Sequence, residues 1–101
     1  MHTLLVEMST DPSRTDEVVR HFREDVTGWA KRQPGFVTGQ WLGRRDGRAG
    51  VGVVVFESED AASRAAQGPR GYPRDEARAW NIESVTVYEQ IAWLDPHLSS
   101  D

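Results

Sequence analysis

Pro34-Gly35-Phe36-Val37-Thr38-Gly39-Gln40-Trp41-Leu42-Gly43-Arg44-Arg45-Asp46-Gly47-Arg48-Ala49-Gly50-Val51-Gly52-Val53-Val54-Val55-Phe56-Glu57 holds two β-type runs and the turn that joins them. Phe36 to Arg44 runs out, Arg45-Asp46-Gly47-Arg48 turns, and Gly50 to Glu57 returns, which reads as a β-hairpin. The outgoing run sets Val37, Gly39 and Trp41 against Phe36, Thr38, Gln40 and Leu42. The returning run is apolar at Val51, Val53 and Val55 and also at Val54 and Phe56. A strand apolar on both sides is a strand buried on both faces. In a two-layer α+β domain the chain's own helices cover only one face, so a second copy of the sheet is the simplest cover for the other, and a homodimer is expected.

Upstream, residues 2 to 8 form a first strand, stopped by the turn formers Ser9 to Ser13. A helix follows, with Asp11 or Ser13 as its cap and Asp16 and Glu17 in its first turn, where the helix dipole favours negative charge. Val18, Phe22, Val26 and Trp29 recur at helical spacing as one stripe facing the sheet. The helix should end near Arg32 or Gln33, because Pro34 disfavours helical geometry in the residue before it. Downstream, Ser58 caps a second helix ending at Gln67, before Gly68-Pro69, with Ala61, Ala62, Ala65 and Ala66 as its apolar positions. Small residues there allow close approach to the sheet or leave space for a ligand. Residues 68 to 81 read as a long loop, of the kind that is often functional. A last strand runs from Ile82 to Ala92, with Val85, Val87 and Ile91 on one side and Ile82, Tyr88 and Ala92 on the other. The order is β-α-β-β-α-β, a single domain over residues 1 to 95 with a fraying tail at 96 to 101.

Composition narrows the function classes. Twelve Lys and Arg against 16 Asp and Glu give a formal charge of -4, with no basic run able to follow a phosphate backbone, so no nucleic-acid partner is expected. The chain has no cysteine, which removes disulfides, thiol nucleophiles and thiolate metal sites. Its start lacks the basic and long apolar regions of a signal peptide, so a cytoplasmic protein is expected. Val51 to Phe56 is too short an apolar run to span a bilayer, and no membrane partner is expected. His2, His21 and His97 are scattered without ligand spacing, so no metal is expected. No Ser-His-Asp grouping, phosphate loop or paired-carboxylate motif is present, and the arginines around Asp46-Gly47 read as a solvated hairpin tip.

The β-α-β-β-α-β order, Gln33-Pro34-Gly35-Phe36, the run from Gly50 to Ala62 and the ending Ile82-Glu83-Ser84-Val85-Thr86-Val87-Tyr88-Glu89 together resemble the antibiotic biosynthesis monooxygenase-like family of the dimeric α/β-barrel superfamily. The likeness covers residues 2 to 92. It implies a ferredoxin-like protomer, an antiparallel sheet with two helices on one face, two sheets closing into a barrel at a dimer interface, and a pocket between sheet and helices. Members include oxygenases that act on aromatic quinol-type substrates with molecular oxygen and no metal or flavin, as well as haem-degrading enzymes, isomerases and proteins without known activity. The haem-degrading branch calls for an Asn on the first strand, a Trp, and an axial His on or near the second helix; here strand one has no Asn and residues 58 to 81 have no His.

An oxygenase without a cofactor needs aromatic walls, a few polar tips and a group that takes the phenolic proton, so that the substrate anion can give an electron to oxygen. Trp29, Trp41, Trp80 and Trp93 supply walls, the plain alternative for each being a core or interface filler. Trp80-Asn81, just before the last strand, is the leading catalytic pair, with an indole at a pocket mouth and an amide for an oxyanion. The resemblance favours Asn, Trp and Tyr in the pocket, and Asn81, Trp80 and Tyr72 are those types. His21 and Asp25, four apart on the first helix, form a candidate general base with its carboxylate, or else an ordinary surface ion pair. Tyr88, Trp29 and Trp41 complete the substrate-binding candidates. Three readings stand together: a cofactor-independent monooxygenase acting on a small hydrophobic aromatic or polyketide-type ligand, a non-catalytic ligand-binding or interaction dimer, and an isomerase or lyase of a cyclic substrate, which requires a base such as His21 to face the pocket.

Overall fold

A computed structural model of the chain describes residues 1–94, so His97 and the expected tail lie outside the described residues. Strands β1 (His2–Thr10), β2 (Phe36–Gly43), β3 (Ala49–Phe56) and β4 (Trp80–Glu89) form one antiparallel sheet in the order β2-β3-β1-β4. Helices α1 (residues 15–31) and α2 (Glu59–Arg70) pack on one face of it. The architecture is α+β and ferredoxin-like.

Local chemistry sets each boundary. Asp11 Oδ1 accepts from the Ser13 N–H at 2.9 Å, capping the short 3-10 turn Pro12–Arg14 that leads into α1. α1 is helical over Thr15–His21 and Thr27–Lys31, with a π turn over Phe22–Val26 between them. At that turn the Thr27 N–H bonds the Phe22 carbonyl, while the Thr27 hydroxyl donates to the Arg23 carbonyl at 2.8 Å and takes the place the amide would use in an α-helix. The regular spacing of Val18, Phe22, Val26 and Trp29 gives no sign of this turn. After Gly35, at φ 80°, the chain enters β2. Ser58 caps α2, its side chain accepting from the Ala61 N–H at 3.1 Å. The helix runs through Gly68 and Pro69 to Arg70 rather than ending at Gln67. It continues because the last turn is closed by the Gly71 N–H to Gln67 O bond, which needs no donor from Pro69.

Two register shifts correct the expected strand faces. One between Phe36 and Thr38 puts Phe36 opposite Phe56, on the helix-covered face with Trp41, instead of on the side of Gln40 and Leu42. Another between Glu7 and Met8 of β1, opposite Glu83, puts Ile82 on the same face as Val85 and Val87. Strict alternation assumes no extra residue, and each bulge adds one. Ile91 and Ala92 fall beyond β4, and Ile91 is fully exposed.

The helix-covered face carries the core. Leu4, Val54 and Phe56 pack against Ala30 of α1 and Ala62, Ala65 and Ala66 of α2. A second cluster of Met8, Val18, Ala79 and Trp80 closes the other end. The opposite face carries Leu5, Val51, Val53 and Val55 among Thr3, Glu7, Thr86 and Tyr88, and no element among the described residues covers it. The hairpin is held at its tip by Asp46, which accepts from Arg44 Nε at 3.0 Å and the Arg48 N–H at 2.9 Å.

These bonds, the Arg44 side chain first, hold the Asp46 carboxyl below the usual carboxylate range. A carboxylate lowered on folding adds stability above its unfolded pKa and loses it as pH falls through the folded one. Asp46→Asn is therefore expected to lower the urea midpoint near neutral pH, with the difference from wild type vanishing as the solution is acidified below both values.

Candidate functional site

Between the two core clusters the sheet and helices leave a cavity of about 280 Å³. Its floor is Leu4, Val6 and Met8 of β1 with Gly52 and Val54 of β3, its roof is Phe22, Val26 and Trp29 of α1, and Gly68, Pro69 and Tyr72 form one wall. Among the lining residues only His21, Asp25 and Tyr72 carry ionisable side chains. The alanines of α2 let that helix sit close to the sheet, and the π turn lies where α1 crosses the cavity, presenting Phe22, Asp25 and Val26.

Glycines make the aromatic walls. A Cβ on Gly52 would sit 2.9 Å from Trp41 Nε1, and one on Gly39 would sit 3.1 Å from the Trp41 ring, so the indole rests on bare backbone at both positions. Trp29 uses Gly68 in the same way, at 3.2 Å. Gly52→Ala must displace Trp41 from a packed position, and a loss of about 1–3 kcal/mol is expected in urea unfolding, with a shift in tryptophan emission.

Trp80, buried in one wall, is the hub of an aromatic cluster. It stacks with His21 (centroids 5.1 Å apart) and with Tyr72 (5.3 Å), and meets Phe22 at a tilt (5.6 Å). The Arg78 guanidinium lies 4.8 Å from the Trp80 ring centre and 4.5 Å from that of Tyr72. His21 Nδ1 is 3.0 Å from Asp25 Oδ2, with the imidazole about one-third exposed. With Nδ1–H donated to Asp25, Nε2 is the basic nitrogen.

Five of the residues singled out in the sequence thus line one cavity: His21, Trp29, Trp41, Tyr72 and Trp80. Two lie elsewhere. Asn81 is buried, but its Oδ1 accepts from the Asp75 N–H (3.0 Å) and Arg78 (2.9 Å) and its Nδ2 donates to Asp75 O (3.1 Å), so the amide fastens the loop over residues 71–79. Alternation along β4 turns Asn81 away from the face that carries Trp80. Tyr88 is half-exposed on the uncovered sheet face, opposite Thr3. Trp93 is mostly exposed beyond β4.

Sequence reasoning missed Arg78, which also bonds Trp80 O at 2.9 Å and Pro73 O at 2.8 Å and so sets the Trp80–Tyr72 stack. Its only signal was its place two residues before Trp80. The imidazole in the cavity comes from α1, and neither β1 nor the segment from α2 to β4 offers the Asn and His that the haem-degrading branch calls for. The cavity does not fit that haem site.

No helix among the described residues is long and apolar enough to cross a membrane, and no group of three or more His, Asp or Glu is placed to hold a metal ion. No family model matches the chain. No curated protein matches it either. Solved structures do. The haem degrader MhuD of Mycobacterium tuberculosis, with two haems bound in its active site, superposes with a TM-score of 0.71 at 17% identity, over 94% of this chain and 100% of that one. SnoaB, a cofactor-independent oxygenase from Streptomyces nogalater, gives 0.60 at 21% identity over 92% and 95%. The ActVA-Orf6 monooxygenase of Streptomyces coelicolor, in complex with nanaomycin D, gives 0.59 at 21% identity over 93% and 91%. At such identities the likeness speaks for the backbone, and the chain has the ferredoxin-like fold of the antibiotic biosynthesis monooxygenase-like proteins.

Proposed function

We propose that this protein is a cytoplasmic homodimer that oxidises a flat aromatic or polyketide-type small molecule with molecular oxygen, without a bound cofactor. The carrying observation is a cavity walled by indoles and aliphatic side chains whose one imidazole–carboxylate pair, His21–Asp25, stands at its edge. An anthrone suits it. His21 Nε2 takes the proton of the enol form, Asp25 stabilises the resulting imidazolium, and the anion gives an electron to dioxygen. One oxygen atom forms the new carbonyl at the methylene carbon, and the other leaves as water with the two methylene hydrogens. Trp80, whose ring is already stacked with His21 and Tyr72, forms a fixed wall beside the substrate. The uncovered sheet face with Leu5, Val51 and Val53 supports the dimer, since a second sheet would remove that apolar surface from water.

A ligand-binding protein without turnover is the second reading. It is favoured by Asn81, whose amide is committed to the loop and not free to hold an oxyanion. An oxygen electrode with a panel of anthrones and quinols separates them. Saturable uptake that scales with protein supports the oxygenase, and binding seen by tryptophan quenching without uptake supports the second reading.

A further inference from the structure

A second hollow of about 250 Å³ adjoins the main cavity, and Phe22 and Trp41 line both. It lies between α1 and the far ends of β2 and β3, reached by Arg23 and Thr27 from the helix and by Leu42, Gly43 and Arg44 from the strand. Its chemistry is unlike that of its neighbour. Two guanidinium groups line it and no carboxylate does. Arg44 is committed to Asp46, with contacts at 2.9 and 3.0 Å, whereas Arg23 makes no ion pair among the described residues. The three lining hydroxyls are spent on backbone carbonyls: Thr10 on Gly47, Thr15 on Pro12 and Thr27 on Arg23. Arg23 is thus the lining cation left to meet an anion. Gly43 keeps the hollow open, for a Cβ there would meet no atom within 4 Å.

We propose that the ligand is bipartite: a flat aromatic body in the main cavity, and an arm that passes between Phe22 and Trp41 to end in a carboxylate beside Arg23. This rests on the aromatic-ligand reading above and narrows it to aromatic carboxylic acids. The aromatic body supplies apolar burial, while the exposed guanidinium gives a modest, salt-sensitive preference for the acid.

Pyrene, pyrenebutanol and pyrenebutyrate test it, titrated into the full chain and followed by quenching of tryptophan emission. The butyrate is expected to bind about three- to fivefold more tightly than the butanol at low salt, the range of an exposed ion pair. Arg23→Gln should abolish that preference while leaving butanol binding unchanged, and added sodium chloride should shrink it. Gly43→Val, which fills the hollow without touching the main cavity, should weaken both armed probes and leave pyrene itself unaffected. Equal affinity for butyrate and butanol, or a preference that survives Arg23→Gln, overturns the inference while the aromatic cavity stands. If none of the three quenches the tryptophans, the aromatic reading and this inference fall together.

Discussion

His21→Gln is expected to lower kcat/KM for oxygen uptake with an anthrone about 100-fold, the lower end of what a positioned general base contributes. Gln preserves much of the side chain's length and a donor for Asp25, which His21 meets at 3.0 Å, but it cannot take a proton. The imidazole is about one-third exposed and belongs to neither core cluster, so folding should survive the change. Circular dichroism and the affinity for pyrene should match wild type, which separates loss of a base from loss of the cavity. Asp25→Asn should cost less, since it removes the imidazolium's partner and leaves the base in place. An His21→Gln protein that consumes oxygen at the wild-type rate would remove His21 from the chemistry and leave the aromatic cluster around Trp80 without a proton acceptor.

The second large effect concerns assembly. Val53 lies opposite Leu5 on the face that no element among the described residues covers, in the same row as Val51 and Val55. In the proposed dimer Val53→Asp would bury a carboxylate in an apolar sheet-on-sheet contact, at a cost of several kcal/mol. Native mass spectrometry is expected to find wild type as a dimer and the variant as a folded monomer. Val87→Asp is the contrasting change, because Val87 packs against the helix-side core and its replacement should unfold the protomer itself. A wild-type protein that stays monomeric at high concentration, or a Val53→Asp dimer of normal stability, would contradict the covered-face argument.

The sequence made the element order and most boundaries readable because caps, Pro34-Gly35 and the Asp46-Gly47 turn act over a few residues. Faces were harder. One added residue at Phe36–Thr38 and one at Glu83 turned Phe36 and Ile82 over, and period-two reasoning has no local signal for either bulge. The site was legible in residue type more than in position. Tryptophans at 29, 41 and 80 and the His21–Asp25 spacing pointed at the cavity, since bulky rings on the helix-facing side of a small sheet have few other places to go. Asn81 pointed the wrong way because its neighbour Trp80 faces inward, and adjacent strand residues face opposite sides. Tyr88 fell on the open face for the same alternation. Arg78 and the glycine beds under Trp41 and Trp29 depend on contacts across the sheet, which no window of sequence contains.

The most direct test is a single turnover of an anthrone with the wild-type protein under isotopically heavy dioxygen, quenched early and read by mass spectrometry. One heavy oxygen atom in each quinone product and heavy water as the co-product are predicted. Formation of product with oxygen drawn from ordinary water, or no product although the anthrone quenches the cavity tryptophans, would contradict the oxygenase account and leave a ligand-binding dimer in its place.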